Sequence, residues 1–187
     1  MMMGFEKHYW KNIDPEELDE WEKEGYGVKN FQFTQASICF ETKLQLYGPM
    51  PLELVKADGH TNGSTYLWQP DTKTLIAGDL VFNREGPYGA DESCNILTWQ
   101  KVIETLIELK PAIIVSGHGP TATVKDLTEI NEFFLRSIEF IRKKLEQGVK
   151  PKEIEDDPDF PDYYYSDRPE RRKRSIDHWT RFLQKNS

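Results

Sequence analysis

Apolar and polar positions along this chain follow three successive patterns. The opening segment carries a helix signal: Asp14 suits an N-cap, Pro15 the first helical position, and Glu17 completes a capping box. Gly25 marks its expected end. From Phe31 the period changes to that of strands, over Phe31–Phe40, Lys43–Tyr47 and Leu52–Ala57, with Gly48-Pro49 as a turn. Two further strands, Thr65–Gln69 and Thr74–Ala77, flank the turn-like Pro70-Asp71-Thr72. A Gly-containing polar loop, Asn83–Ser93, leads into a helix over Ile96–Leu109. Its Ile96, Trp99, Ile103, Leu106 and Ile107 recur at helical spacing. Lys110-Pro111 stops it, and Ala112–Ser116 reads as a short buried strand. A long helix follows, with Val124, Leu127, Ile130, Phe134, Ile138, Ile141 and Leu145 on one face, ending at Gly148.

The tail differs in character. Asp156–Asp162 is acidic and holds two prolines, which reads as a loop or mobile link. Tyr163-Tyr164-Tyr165 comes next, then five basic residues between Arg168 and Arg174, then an amphipathic ending with Ile176, Trp179, Phe182 and Leu183. The expected organisation is one domain over 1–150 with a packed tail over 151–187.

Composition narrows the function classes. The 187 residues are 37% hydrophobic and 30% charged, with a net charge of −8. Nucleic acid and anionic membranes both demand a positive footprint, so neither is the expected partner. The basic cluster of the tail then reads as a solvated helix face. No apolar run approaches the roughly 20 residues of a membrane span. Glu6 and Lys7 stand close behind the opening methionines, so the expected compartment is the cytoplasm. Cys39 and Cys94 lack metal or redox spacing and read as reduced thiols, Cys39 in the core of a strand.

Of four histidines, two sit among small residues after strands. His60 lies in Asp58-Gly-His-Thr-Asn-Gly-Ser and His118 in Ser116-Gly-His-Gly-Pro. Between them Asp79 follows Gly78 at the end of another strand. Neutral imidazole and carboxylate are donors that zinc, iron(II) and manganese accept, so three such strand ends can converge on an ion. Singly, each reads better as a turn histidine bonded to backbone or a capping aspartate; all three in this order shift the balance. His8 stands alone and reads as a surface residue.

Gly59-His60-Thr61-x-Gly63-Ser64, then Gly78-Asp79-Leu80-Val81-Phe82, then Gly117-His118-Gly119-Pro120 resemble the later motifs of the metallo-β-lactamase superfamily, in order and in spacing. The resemblance spans roughly Phe31 to Leu145. It implies an α+β fold, part of a four-layer αββα sandwich in which a mixed sheet and flanking helices form the C-terminal half. It also implies that His60 binds one metal, Asp79 bridges two and His118 binds the second, with zinc, iron or manganese as the ion. Ser116 stands where the family often has proline. Arg84 and Tyr88, with Asp91, lie in the loop after Asp79 and are the substrate-contacting candidates.

The family's earlier His-x-His-x-Asp-His loop has no counterpart here, nor do the first strands of its usual N-terminal half. Three ligands suit one weakly held ion better than two, so the metal site is expected to be incomplete or empty in this chain alone. No catalytic residue is assigned. Two functions follow from the resemblance. One is a metal-dependent hydrolase, or a fragment of one, whose metal-activated water attacks an ester, thioester, lactone or lactam in a small molecule. The other is a non-catalytic half-domain that binds or dimerises. Half a sandwich leaves one apolar sheet face bare, which a homo-oligomer or another partner would cover.

Overall fold

The computed structural model describes residues 19, 21–25, 27, 36–165 and 169–186. It forms two compact units, Met1–Phe40 and Glu41–Ser187. In the first unit Asp19 and Trp21–Lys23 are helical, and Gly25 takes φ 88° in the turn that follows. That is where the sequence placed the helix end; the Asp14 cap and His8 lie outside the described residues. The strand expected over Phe31–Phe40 needs correction. Its first five residues are not described, and residues 36–40 form no strand. Ile38 is 66% exposed and Cys39 is exposed, so that cysteine is no core residue. These residues pair with no neighbouring strand, and alternation alone cannot supply the missing ladder.

The second unit runs β1 (Lys43–Leu46), β2 (Leu52–Lys56), β3 (Thr65–Gln69), β4 (Thr74–Phe82), α1 (Ile96–Glu108), β5 (Ile113–His118), α2 (Val124–Glu146), α3 (Pro151–Glu155) and α4 (Pro169–Lys185). The five strands form one mixed sheet in the order β1-β2-β3-β4-β5. The first three pairings are antiparallel, while β4 and β5 run parallel with α1 as the crossover between them. This is a mixed α+β fold that matches part of an αββα sandwich.

β4 extends to Phe82, beyond the expected end at Ala77. Gly78 reads as a breaker in sequence, yet here it takes φ 52° and accommodates a register shift between Ile76 and Phe82. Leu80, Val81 and Phe82 beyond it are buried, which gives the strand reason to continue.

One sheet face is packed. Leu75, Ala77 and Ile114 are buried with Trp99, Ile103 and Leu106 of α1 and Leu127, Ile130, Phe134 and Ile141 of α2. Trp99 Nε1 donates to the Leu80 carbonyl at 2.9 Å, so this fully buried tryptophan is also hydrogen-bonded. Asn95 caps α1 by accepting from Thr98 N–H, and Thr123 with Asp126 forms a capping box on α2.

The opposite face has a different fate. Cross-strand partners share a face, and the register aligns Leu44 with Leu54, Leu54 with Leu67, Leu67 with Ile76 and Ile76 with Val115. An aliphatic row therefore crosses all five strands. Ile76 is 44% exposed, Val115 38%, and Ile113 beside them 50%.

The acidic run of the tail is no mobile link: Phe160, Tyr163 and Tyr165 are buried. Aromatic side chains at these positions anchor a segment whose average composition reads as solvated. In α4, Ile176, Trp179 and Leu183 are buried as well.

Candidate functional site

Asp79 and His118 reach the same sheet edge because β4 and β5 are parallel and end together. The bulge at Gly78 places Asp79 in the second half of β4, and His118 is the last residue of β5. Close strand approach depends on Gly117: a Cβ there would fall 2.7 Å from the Asp79 nitrogen. The result is a contact of 3.3 Å between His118 Nε2 and Asp79 Oδ1. Phe82 stacks on the His118 ring at 4.3 Å with a 10° interplanar angle. Asn83 N–H donates to the His118 carbonyl at 3.0 Å and ties the following loop to the same strand end.

His60 comes from the β2–β3 loop. Ala57 N–H donates to the Ser64 carbonyl, Asn95 N–H to the Gly59 carbonyl, and Asn62 N–H to Ser93 Oγ. Gly59 sits against Trp99, whose Cα would be 2.6 Å from an added Cβ. The His60 ring then lies 5.2 Å from Trp99 and 5.9 Å from Phe82, so Phe82 touches both imidazoles. Burial pushes the His60 pKa below its ordinary value. The charges of Asp79 and Asp91 and a hydrogen bond to the Tyr88 backbone pull the other way, and His118 adds to the lowering. Burial thus favours the neutral ring, the form that binds metals or accepts a proton.

Asp79 and His118 are thus in contact, and His60 lies within their electrostatic reach. Asp79 is about half exposed and His118 about a third, so this is an open edge. As metal donors the set is sparse. The contacting carboxylate and imidazole suit a shared ion, but among the described residues no group of three or more His, Cys, Asp or Glu is arranged to hold one.

Loop residues 83–94 border this edge. Arg84 is exposed with φ 55°, and its charge helps to lower the Asp126 pKa at the start of α2, after the Thr123 hydrogen bonds and together with Lys125. Tyr88 lies under two guanidinium groups, those of Arg171 and Arg174, each 5.6 Å from its ring. Sequence reasoning passed over Glu85, whose Oε1 lies 3.9 Å from His118 Nδ1 and 3.5 Å from Arg171 Nη1. It also passed over the role of α4. Arg171, Arg174, Ser175 and His178 follow an i, i+3, i+4, i+7 spacing, and all four contact this loop. Gly89 N–H donates to Ser175 Oγ at 2.9 Å, and His178 Nε2 bonds the Cys94 carbonyl at 3.0 Å. Tyr165 adds a third brace, its hydroxyl donating to the Pro87 carbonyl at 2.6 Å. A separate cleft lined by Glu129, Glu132, Arg136, Asp162, Tyr163 and Tyr164 shares no residue with the edge.

The sequence profile of the metallo-beta-lactamase superfamily matches residues 44–118, the stretch from β1 to the end of β5. No curated protein matches the sequence significantly. Among solved structures, the chain is similar to a metallo-beta-lactamase family protein from Thermus thermophilus. The TM-score is 0.63 at 14% identity, over 98% of this chain and 61% of that one. It is also similar to a metallo-beta-lactamase from Pontibacter korlensis, with TM-score 0.48 and 19% identity over 63% of this chain and 62% of that one. Among the described residues no helix is long and apolar enough to cross a membrane. With its profile match and its sheet topology, the chain has the metallo-β-lactamase superfamily fold, over a span of 61% and 62% of these two relatives' lengths.

Proposed function

We propose that this chain works by association. A second copy covers the row Leu44, Leu54, Leu67, Ile76 and Val115, and the edge with His60, Asp79 and His118 serves as a binding site at the rim of that joint. The observation that carries this reading is the row itself, exposed at Ile76 and Val115 and half-buried at Leu44, Leu54 and Leu67. The outer face of a solvated antiparallel sheet normally bears polar residues, whereas an aliphatic residue at every strand is the pattern of a buried surface. A second copy is the occupant because the row carries no charge that would select a different partner. Two like aliphatic faces complement each other in sheet-on-sheet packing. Five strands at about 4.8 Å spacing and some four residues of length give roughly 300 Å² per copy, well under a standard interface and in the range of weak, transient ones. The dimer is therefore weak, in the micromolar range.

Sedimentation velocity across that range tests it. The expected result is a concentration-dependent dimer that Ile76→Lys and Val115→Lys reduce to monomer, with circular dichroism unchanged because both side chains are already exposed. A wild-type chain that stays monomeric throughout would refute the proposal.

A second reading, metal-dependent hydrolysis of an ester, thioester, lactone or lactam, is favoured by one specific observation: the 3.3 Å contact between Asp79 and His118. Zinc, iron or manganese bound there would supply an activated water, and His60 would be the third donor. Metal analysis of untagged protein separates the readings. Bound metal that is lost in His118→Ala supports hydrolysis, and its absence from the wild-type chain rules hydrolysis out.

A further inference from the structure

The first turns of α4 break a local rule. Helix N-termini carry positive partial charge and favour acidic side chains, yet Arg171, Arg172, Lys173 and Arg174 follow directly on Pro169-Glu170. Such violations point to a use beyond stability. Three of the four cations have local oxygen partners. Arg172 Nη2 reaches the Phe160 carbonyl at 3.4 Å and the Asp157 carbonyl at 3.5 Å, Lys173 Nζ pairs with Asp156 Oδ1, and Arg171 Nη1 is 3.5 Å from Glu85. Arg174 is exposed and has no carboxylate within ion-pair distance among the described residues. It rests, like Arg171, over the Tyr88 ring.

We infer that Arg174 and Arg171, mounted on Tyr88, form the anion-recognising wall of a small-molecule site beside the His118–Asp79 edge, and that its ligand carries a carboxylate or phosphate oxyanion. Three observations support this. Both guanidinium groups lie over the Tyr88 ring at the same 5.6 Å, a contact that biases both side chains toward one place before a ligand arrives. Contacts run from Arg171 to Glu85 at 3.5 Å, from Glu85 to His118 at 3.9 Å and from His118 to Asp79 at 3.3 Å, which brings the anion wall next to the candidate ligands. The chain as a whole carries −8, so diffuse electrostatics repel anions and an oxyanion binds only where geometry gathers cations. Glu85 already engages Arg171, which leaves Arg174 as the arm that contributes most. The inference is independent of dimerisation and of any hydrolytic step.

Titration of the full chain with inorganic phosphate, with succinate and with uncharged succinamide, followed through the arginine Nε–H resonances, tests it. Phosphate or succinate should bind saturably and shift the Arg171 and Arg174 signals, while succinamide leaves them in place. Whichever oxyanion binds more tightly identifies the ligand class. Arg174→Ala should weaken that binding about tenfold or more, the loss expected for a charge-assisted contact. Lys173→Ala, whose ammonium is engaged by Asp156, should stay within about twofold. Absence of saturable binding by either oxyanion, or equal weakening in the two variants, would overturn the inference.

Discussion

The loop that borders the site is held by α4 through contacts tight enough to make Gly89→Ala a sharp test. An added Cβ would lie 2.7 Å from Cε2 and Cζ2 of Trp179 and closer still to its Nε1. Trp179 cannot retreat: it is fully buried and packs edge-on against Phe133 and Phe134 at 6.2 and 6.0 Å. The loop must therefore move, and movement stretches the 2.9 Å bond from Gly89 N–H to Ser175 Oγ. Overpacking of this kind costs about 1–3 kcal/mol, and a buried hydrogen bond adds about 1 kcal/mol. The sum, about 2–4 kcal/mol, corresponds to a fall in Tm of roughly 5–15 °C for a chain of this size. Urea unfolding followed by tryptophan fluorescence reports it through buried Trp99 and Trp179. Gly48→Ala is the control, since nothing lies within 4 Å of its added Cβ, and it should stay within about 0.5 kcal/mol of wild type. If Gly89→Ala matches that control, α4 does not brace the loop as described.

Two further outcomes follow from titratable groups. Burial lowers the His60 pKa from 6.5, so between its folded value and 6.5 the unfolded chain binds more protons than the folded one. Stability should then rise with pH through that window and be lost as pH falls through it. Urea midpoints between about pH 5 and pH 7.5 should show this slope, and His60→Gln should flatten it; an identical slope in the variant would place the linkage elsewhere. Burial pushes the Cys94 thiol up to about 12, while Cys39 is exposed. A chromogenic disulfide reagent should therefore titrate one thiol in the native chain and the second only after unfolding. Rapid reaction of both in native protein would contradict the packing around Cys94.

Legibility in the sequence followed the range of the interactions. β2, β3, α1 and α2 were readable because each repeats its own period over enough residues. The end of β4 was not, because the same Gly78 that signals a break in a lone strand serves as a bulge when a parallel neighbour is present. Ile38 and Cys39 failed for the opposite reason: local alternation without a ladder. His60, Asp79 and His118 stood out through their small neighbours at strand ends. Glu85, Arg171 and Arg174 did not, because their meaning depends on helix and loop meeting across the fold. The spacing of Arg171, Arg174, Ser175 and His178 was nevertheless a legible hint that one face of α4 is engaged.

The exposed row and the sparse donor set are neighbours on the same two strands. Ile76 precedes Asp79 by three residues on β4, and Val115 precedes His118 by three on β5. At about 3.3 Å per residue, whatever covers Ile76 and Val115 comes within roughly 10 Å of both candidate ligands. With a second copy on that face, donors of one copy would complete the set of the other, and association and metal retention would be one equilibrium seen twice. Val115→Lys decides the matter, since it adds charge to the row and leaves every candidate ligand intact. Loss of the dimer together with loss of any bound metal would tie the two, in the way that binding to one state stabilises it. A monomeric Val115→Lys chain that keeps its metal would place the donors within a single copy, and the sheet face and the metal edge would then be separate devices on one fold.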